Sequence, residues 1–202
     1  MYDFEDVTIL DNAKIYSENV EISGDSIICG NAKIYDYVKI IDHSYVGGNS
    51  IIKDNAQIIN NTKVYENAKV YDYAIINSES INKNSEFNKY LINKFNDNYI
   101  THIYGNANIF EYAYIRESEI YGNACIHGEA RIVNSSIYGN AEISESAKCH
   151  NSIVYGNAKI FGDARILNIK IYGNAKIFGN TNFIYMFNDD IRGKARLKNY
   201  KA

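Results

Sequence analysis

The string Tyr-Gly-Asn-Ala recurs at Tyr104, Tyr121, Tyr138, Tyr155 and Tyr172, always 17 residues apart. Self-similarity at a short fixed period marks a solenoid, whose units bury their apolar side only by stacking on one another. A shorter beat runs inside each unit: aliphatic, variable, Gly or polar, Asn or Asp, Ala, variable. Ile160-Phe-Gly-Asp-Ala-Arg followed by Ile166 is one example. Each 17-residue unit holds two such hexads and one unit of five. The first half keeps the beat with a period of 18, with aliphatic residues at Ile22, Ile28, Ile34, Ile40, Val46, Ile52, Ile58, Val64, Val70 and Ile76. The pattern begins at Ile9 with Ala13, and one extra residue near Asn19 shifts it.

Each hexad describes a short strand and a corner. Strand side chains alternate, so the aliphatic residue points inward and its neighbours outward. Gly, Asn and Asp suit the bend because they tolerate positive φ. The small residue that follows points inward where a corner leaves little room. Three hexads close one triangular coil, and coils stack at about 4.8 Å. About ten coils predict an all-β parallel helix roughly 45–50 Å long. Its coils cover about residues 7–81 and 103–202 of a single domain. Stacked in this way, each inward Ile or Val contributes roughly 1.5–3 kcal/mol by burial.

The beat and the corner chemistry resemble the hexapeptide-repeat proteins, a superfamily of left-handed parallel β-helices. The resemblance spans about Ile9–Ile76 and Ile103–Gly179. The left hand is implied by that resemblance alone. The Gly-Asn-Ala-Lys-Ile-rich units are also similar to bacterial and phage proteins labelled as acyltransferases.

Two stretches leave the beat. In residues 82–101, Phe87, Tyr90, Leu91 and Phe95 fall on one face of a short helix, with Ser85 placed to cap it. This segment is expected to leave the rod as an arm that contacts the rod, a neighbouring subunit or a site. Phe183-Ile-Tyr-Met-Phe187 is the second break, and the beat resumes at Ile191 with Ala195.

Composition narrows the function. The 202 residues carry a net charge of −3, which argues against a dedicated nucleic-acid binder. Residues 1–100 hold 9 Lys, no Arg and 15 acids, whereas residues 101–202 hold 7 Lys, 5 Arg and 9 acids. No run of 18 apolar residues predicts a membrane span, and the start lacks a signal-peptide pattern, so a cytoplasmic protein is the expectation. Cys29, Cys125 and Cys149 are widely spaced and form no CxxC pair, which predicts neither a disulfide framework nor a zinc ribbon. Cys149 takes an inward slot and reads as a buried hydrophobe.

Enzymes of the resembled superfamily use a His as general base on an acceptor hydroxyl or amine, with acyl-CoA lying between two rods of a trimer. Four His are available. His102 borders the interrupted segment and is the first candidate base. His43, in Asp42-His-Ser-Tyr-Val-Gly-Gly-Asn, is the second. His127 and His150 are predicted to point outward on different faces. The zinc-dependent carbonic anhydrases of the superfamily need an H-x4-H pair, which this chain lacks, and no metal site is expected.

The outward aromatics form a competing signal. Tyr104, Tyr121, Tyr138, Tyr155 and Tyr172 take equivalent places and predict a ladder on one face. A second face reads Phe110, His127, Ser144, Phe161 and Phe178, and a third Arg116, Val133, His150, Leu167 and Ile184. Asn106, Asn123, Asn140, Asn157 and Asn174 should stack at one corner. Such regularity favours a non-catalytic rod, without a cofactor, that offers its tyrosine face to a protein partner or to itself as a dimer or trimer. The alternative is an acyl-CoA-dependent acyltransferase (O- or N-acetyl transfer) using acetyl-CoA and His102 or His43.

Overall fold

The computed structural model describes residues 6–78, 100–184, 190–193 and 196–198. The predicted helix with Phe87, Tyr90, Leu91 and Phe95 lies outside these residues.

Strands of two or three residues alternate with corners and form three parallel sheets of 10, 10 and 9 strands. The first sheet starts at Thr8–Ile9, the second at Lys14–Ile15 and the third at Glu21–Ile22. Every third strand joins the same sheet, so the chain visits each sheet once per coil. This is a three-sided parallel β-solenoid, as the hexad beat predicts.

The register shows the two periods directly. Thr8 pairs with Ile27, 19 residues on, which places the extra residue near Asn19 in the first coil. Ile27 then pairs with Tyr45, and Tyr45 with Lys63, at intervals of 18. From His102 onward the interval is 17, beginning with His102 against Glu119. Between the two regimes Lys63 pairs with His102, 39 residues on, so the sheet continues across the interrupted segment. The beat runs to Ser78 and resumes at Thr101, both buried, one step earlier than the sequence boundary at 103.

The missing residue of the 17-residue coils comes from the corner between the third and first sheets. In the long coils that corner carries two successive residues at positive φ: Gly24–Asp25, Asp42–His43 and Asn60–Asn61. In the short coils it carries one: Glu117, Asn134, Asn151 or Asn168. A buried hydroxyl closes both kinds. Ser44 and Thr62 donate to the carbonyl three residues back, whereas Ser118, Ser135 and Ser152 donate to the carbonyl two residues back.

The interior is one column of Ile, Val and Ala, nearly all fully buried from Ile28 to Ile177. Cys149 sits in this column, and burial pushes its thiol pKa up. One expectation needs correction. Phe183 is a buried inward residue of Asn182–Ile184, paired with Ile166, so it continues the beat instead of breaking it. An aromatic ring fits there because it is accommodated near the rod end, where fewer coils constrain the column.

Candidate functional site

Outward positions repeat along each sheet, so the hexad beat decides which side chains meet. On the first sheet, the column after the inward residue runs Tyr65, Tyr104, Tyr121, Tyr138, Tyr155, Tyr172. Their rings are stacked in parallel, with successive centroids 4.7–5.0 Å apart. The ladder predicted from five tyrosines thus has a sixth member, Tyr65. Beside it, Asn106, Asn123, Asn140, Asn157 and Asn174 pass hydrogen bonds from amide to carbonyl at 2.9–3.1 Å along the corner. The same corner ladder extends to Asn12 through Asn31, Asn49 and Asn67.

The ladder stops where the regular pattern stops. At the next slot Gly47 replaces the aromatic residue, and the Tyr45 side chain lies across it. A Cβ on Gly47 would stand 2.6 Å from the Tyr45 oxygen. The Cys29 thiol donates to that oxygen at 3.0 Å, which with burial raises the Tyr45 pKa to about 12.

His102 lies at this irregular place. It sits in the column before the inward residue, between Lys63 and Glu119 in register. Its ring is half-buried and meets Tyr65 edge-on, with centroids 6.2 Å apart and planes at 86°. Two clefts share it. One of about 350 Å³ is lined by Ile100, His102, Glu117, Ser118, Glu119 and Asn134, and continues over Ser135 and Ser136. The other, about 320 Å³, is lined by Tyr45, Lys63, Tyr65 and His102.

The electrostatics favour a neutral imidazole. Burial lowers the His102 pKa first, and the Lys63 ammonium lowers it further, against the opposing pull of Glu119. Glu119 is itself held by the Tyr104 hydroxyl, which donates to it at 2.7 Å. Burial and that carboxylate push the Tyr104 phenol pKa up. A neutral imidazole with an open side can accept a proton from a hydroxyl or amine placed in either cleft.

The remaining His residues lie elsewhere. His43 stands on an exposed corner, 3.3 Å from Asp25, and lines neither cleft. His127 stacks on Phe110 at 4.9 Å on the second sheet and approaches Glu142 at 3.4 Å, where Lys159 also pairs with Glu142. His150 is exposed on the third sheet. The Cys125 thiol is half-buried beside this group, and desolvation raises its pKa, which disfavours the reactive thiolate. Among the described residues no three His, Cys, Asp or Glu side chains gather as a metal site.

Sequence reasoning singled out His102 but missed its surroundings: Tyr45, Lys63, Tyr65, Glu117, Glu119 and the serines. A signal was present. Aligning the coils puts Tyr45, Lys63, His102, Glu119 and Ser136 in one column, and Gly47 breaks the aromatic column beside it.

No family model and no curated protein matches the chain. Solved structures similar to it include the UDP-N-acetylglucosamine acyltransferase of Francisella novicida, at 16% identity, covering 85% of this chain and 67% of that one, with a TM-score of 0.46. LpxA from Acinetobacter baumannii matches at 14% identity over 90% of this chain and 68% of its own, with a TM-score of 0.47. The Arabidopsis UDP-N-acetylglucosamine acyltransferase matches at 14% identity over 88% and 69%, with a TM-score of 0.42. At these values the likeness carries no functional conclusion, and the solenoid rests on the strand registers described above.

Proposed function

We propose that this chain is an acyltransferase in which His102 is the general base. The observation that carries this reading is the half-buried imidazole, held toward its neutral form, at the meeting point of two clefts. His102 removes the proton from an acceptor hydroxyl or amine as that group attacks the thioester carbonyl of an acyl-CoA. The new ester or amide bond forms, the carbon–sulfur bond breaks, and the thiol leaves with the proton. Lys63, beside His102, disfavours a second positive charge and so keeps the base available. Glu119 stabilises the imidazolium once formed.

The preference drawn from sequence regularity is thereby reversed. The tyrosine ladder has a structural use, because each inner ring is covered on both faces by its neighbours. Aromatic pairs of this kind stabilise a sheet by up to about 1 kcal/mol each without any partner.

The test is thiol release from acetyl-CoA and longer acyl-CoAs with a panel of hydroxyl and amine acceptors. The expected result is turnover that falls about 10²–10⁴-fold in His102→Ala and is kept in His43→Ala. No turnover with any pair, or equal turnover in His102→Ala, would refute it.

A second reading, a protein partner or second copy docked on the first sheet as a dimer or trimer, is favoured by the flat row of tyrosine edges. Tyr121→Asp with Tyr138→Asp would abolish such an association; an unchanged oligomeric state and partner capture would exclude it.

A further inference from the structure

A third cleft, of about 450 Å³, lies away from His102. It opens at the corner between the second and third sheets and is lined by Ile75, Tyr112, Tyr114, Glu129 and Arg131. Its construction differs from the rest of the surface in three ways.

The first is an aromatic ring with a bare face. Tyr112 stacks on Tyr73 with centroids 5.1 Å apart and planes at 7°. The next coil places Glu129, not an aromatic residue, in the same corner slot, so this short ladder ends at Tyr112. Tyr112 is 63% exposed, the largest exposure of any large apolar or aromatic side chain described.

The second is a charged pair left unused. Glu129 and Arg131 are both exposed at the mouth of the cleft, and neither makes an ion pair. One offers a carboxylate acceptor and the other a planar fork of donors. The third is an apolar floor. Ile75 and Tyr114 are register partners on the third sheet, and Tyr114 is in turn the partner of Arg131.

We propose that this cleft is a saccharide-binding site that seats one pyranose ring. The C–H face of the sugar lies on the free face of Tyr112, with Ile75 and Tyr114 at its edge. Vicinal hydroxyls donate to Glu129 and accept from Arg131. An aromatic platform flanked by a few placed polar groups is the arrangement by which proteins hold an amphipathic, neutral ring. A neutral ligand also fits the charge of the site, where one acid faces one base. The site stands on a different sheet from His102 and does not depend on acyl transfer.

The test is saturation-transfer NMR on the full chain with maltose, cellobiose and chitobiose as probes. The expected result is transfer to the ring protons of at least one disaccharide, lost in Tyr112→Ala. Arg131→Ala should bind it roughly tenfold more weakly. Tyr37→Ala is the control, because Tyr37 is 60% exposed in the same corner column but lines no described cleft. That variant should bind as the parent does. Circular dichroism establishes that each variant keeps its sheets. Three results would overturn the proposal: no transfer to any of the sugars, transfer that survives Tyr112→Ala, or loss in Tyr37→Ala equal to that in Tyr112→Ala. Adenosine binding through Tyr112 in place of the sugars would make the cleft a nucleoside site and equally overturn it.

Discussion

The coils before the interruption close with 18 residues and those after it with 17, yet the three sheets run through both without a change of partner. The difference is confined to one corner, where two residues at positive φ become one. The other two corners and the inward column are common to both halves. A solenoid therefore tolerates length variation at a corner, where backbone conformation is local, and not in a strand, where one added residue would turn every inward side chain out. The clefts around His102 and Tyr112 gather where the two kinds of coil meet. Regular coils on either side cover their ring faces, and the junction leaves them open.

The strongest probe of this comparison is the shared core. Ile34→Ala in a long coil and Ile126→Ala in a short one should each cost about 2–5 kcal/mol in urea denaturation, because both side chains are fully buried. A single transition in both variants shows one cooperative rod; a cost confined to one of two transitions would show that the halves unfold separately.

The corner between the first and second sheets sharpens the contrast. Gly48 and Gly139 both have positive φ, but a Cβ would lie 2.5 Å from the Glu66 nitrogen in the first case and 3.0 Å from the Gly156 nitrogen in the second. Each Gly→Ala change should cost at least about 1–2 kcal/mol from the left-handed backbone, and Gly48→Ala should cost more. Melting temperatures decide the order.

A gentler change tests the corner rule itself. Inserting one Gly after Asn134 rebuilds a long-coil corner in the short-coil half. The expected drop is roughly 2–4 °C, as for a loss near 1 kcal/mol in a chain of this size. Collapse of the fold would show that the two corner types are not interchangeable. Smallest is the exposed amide ladder. Asn140→Ala breaks its links to Asn123 and Asn157 and should cost about 0.5–1.5 kcal/mol in the same melt.

Much of the fold was legible because each inward residue must be apolar and each corner must tolerate positive φ. The extra residue near Asn19, the inward Cys149 and the asparagine ladder all followed from that beat. Phe183 did not, because an aromatic run looks like an interruption when only aliphatic residues define the inward slot. The candidate site was less legible for a related reason. His102 marked itself by its place beside the break, but Tyr45 lies across Gly47 only because a glycine vacates the ladder. That is a relation between neighbouring coils, invisible along the chain. Tyr112 is likewise one tyrosine among 19 until its uncovered face is seen.

Acid should distinguish the junction from the regular coils. With its pKa below the ordinary 6.5, His102 stays neutral into mildly acidic solution, so turnover should hold through pH 6.5 and fall only as the pH drops through the lowered value. The direct measurement is an NMR pH titration of the imidazole protons, with the His102 signal assigned by its loss in His102→Gln. The account predicts a midpoint below 6.5 that moves when acetyl-CoA is added. A midpoint at or above 6.5, unmoved by any acyl-CoA, would contradict it.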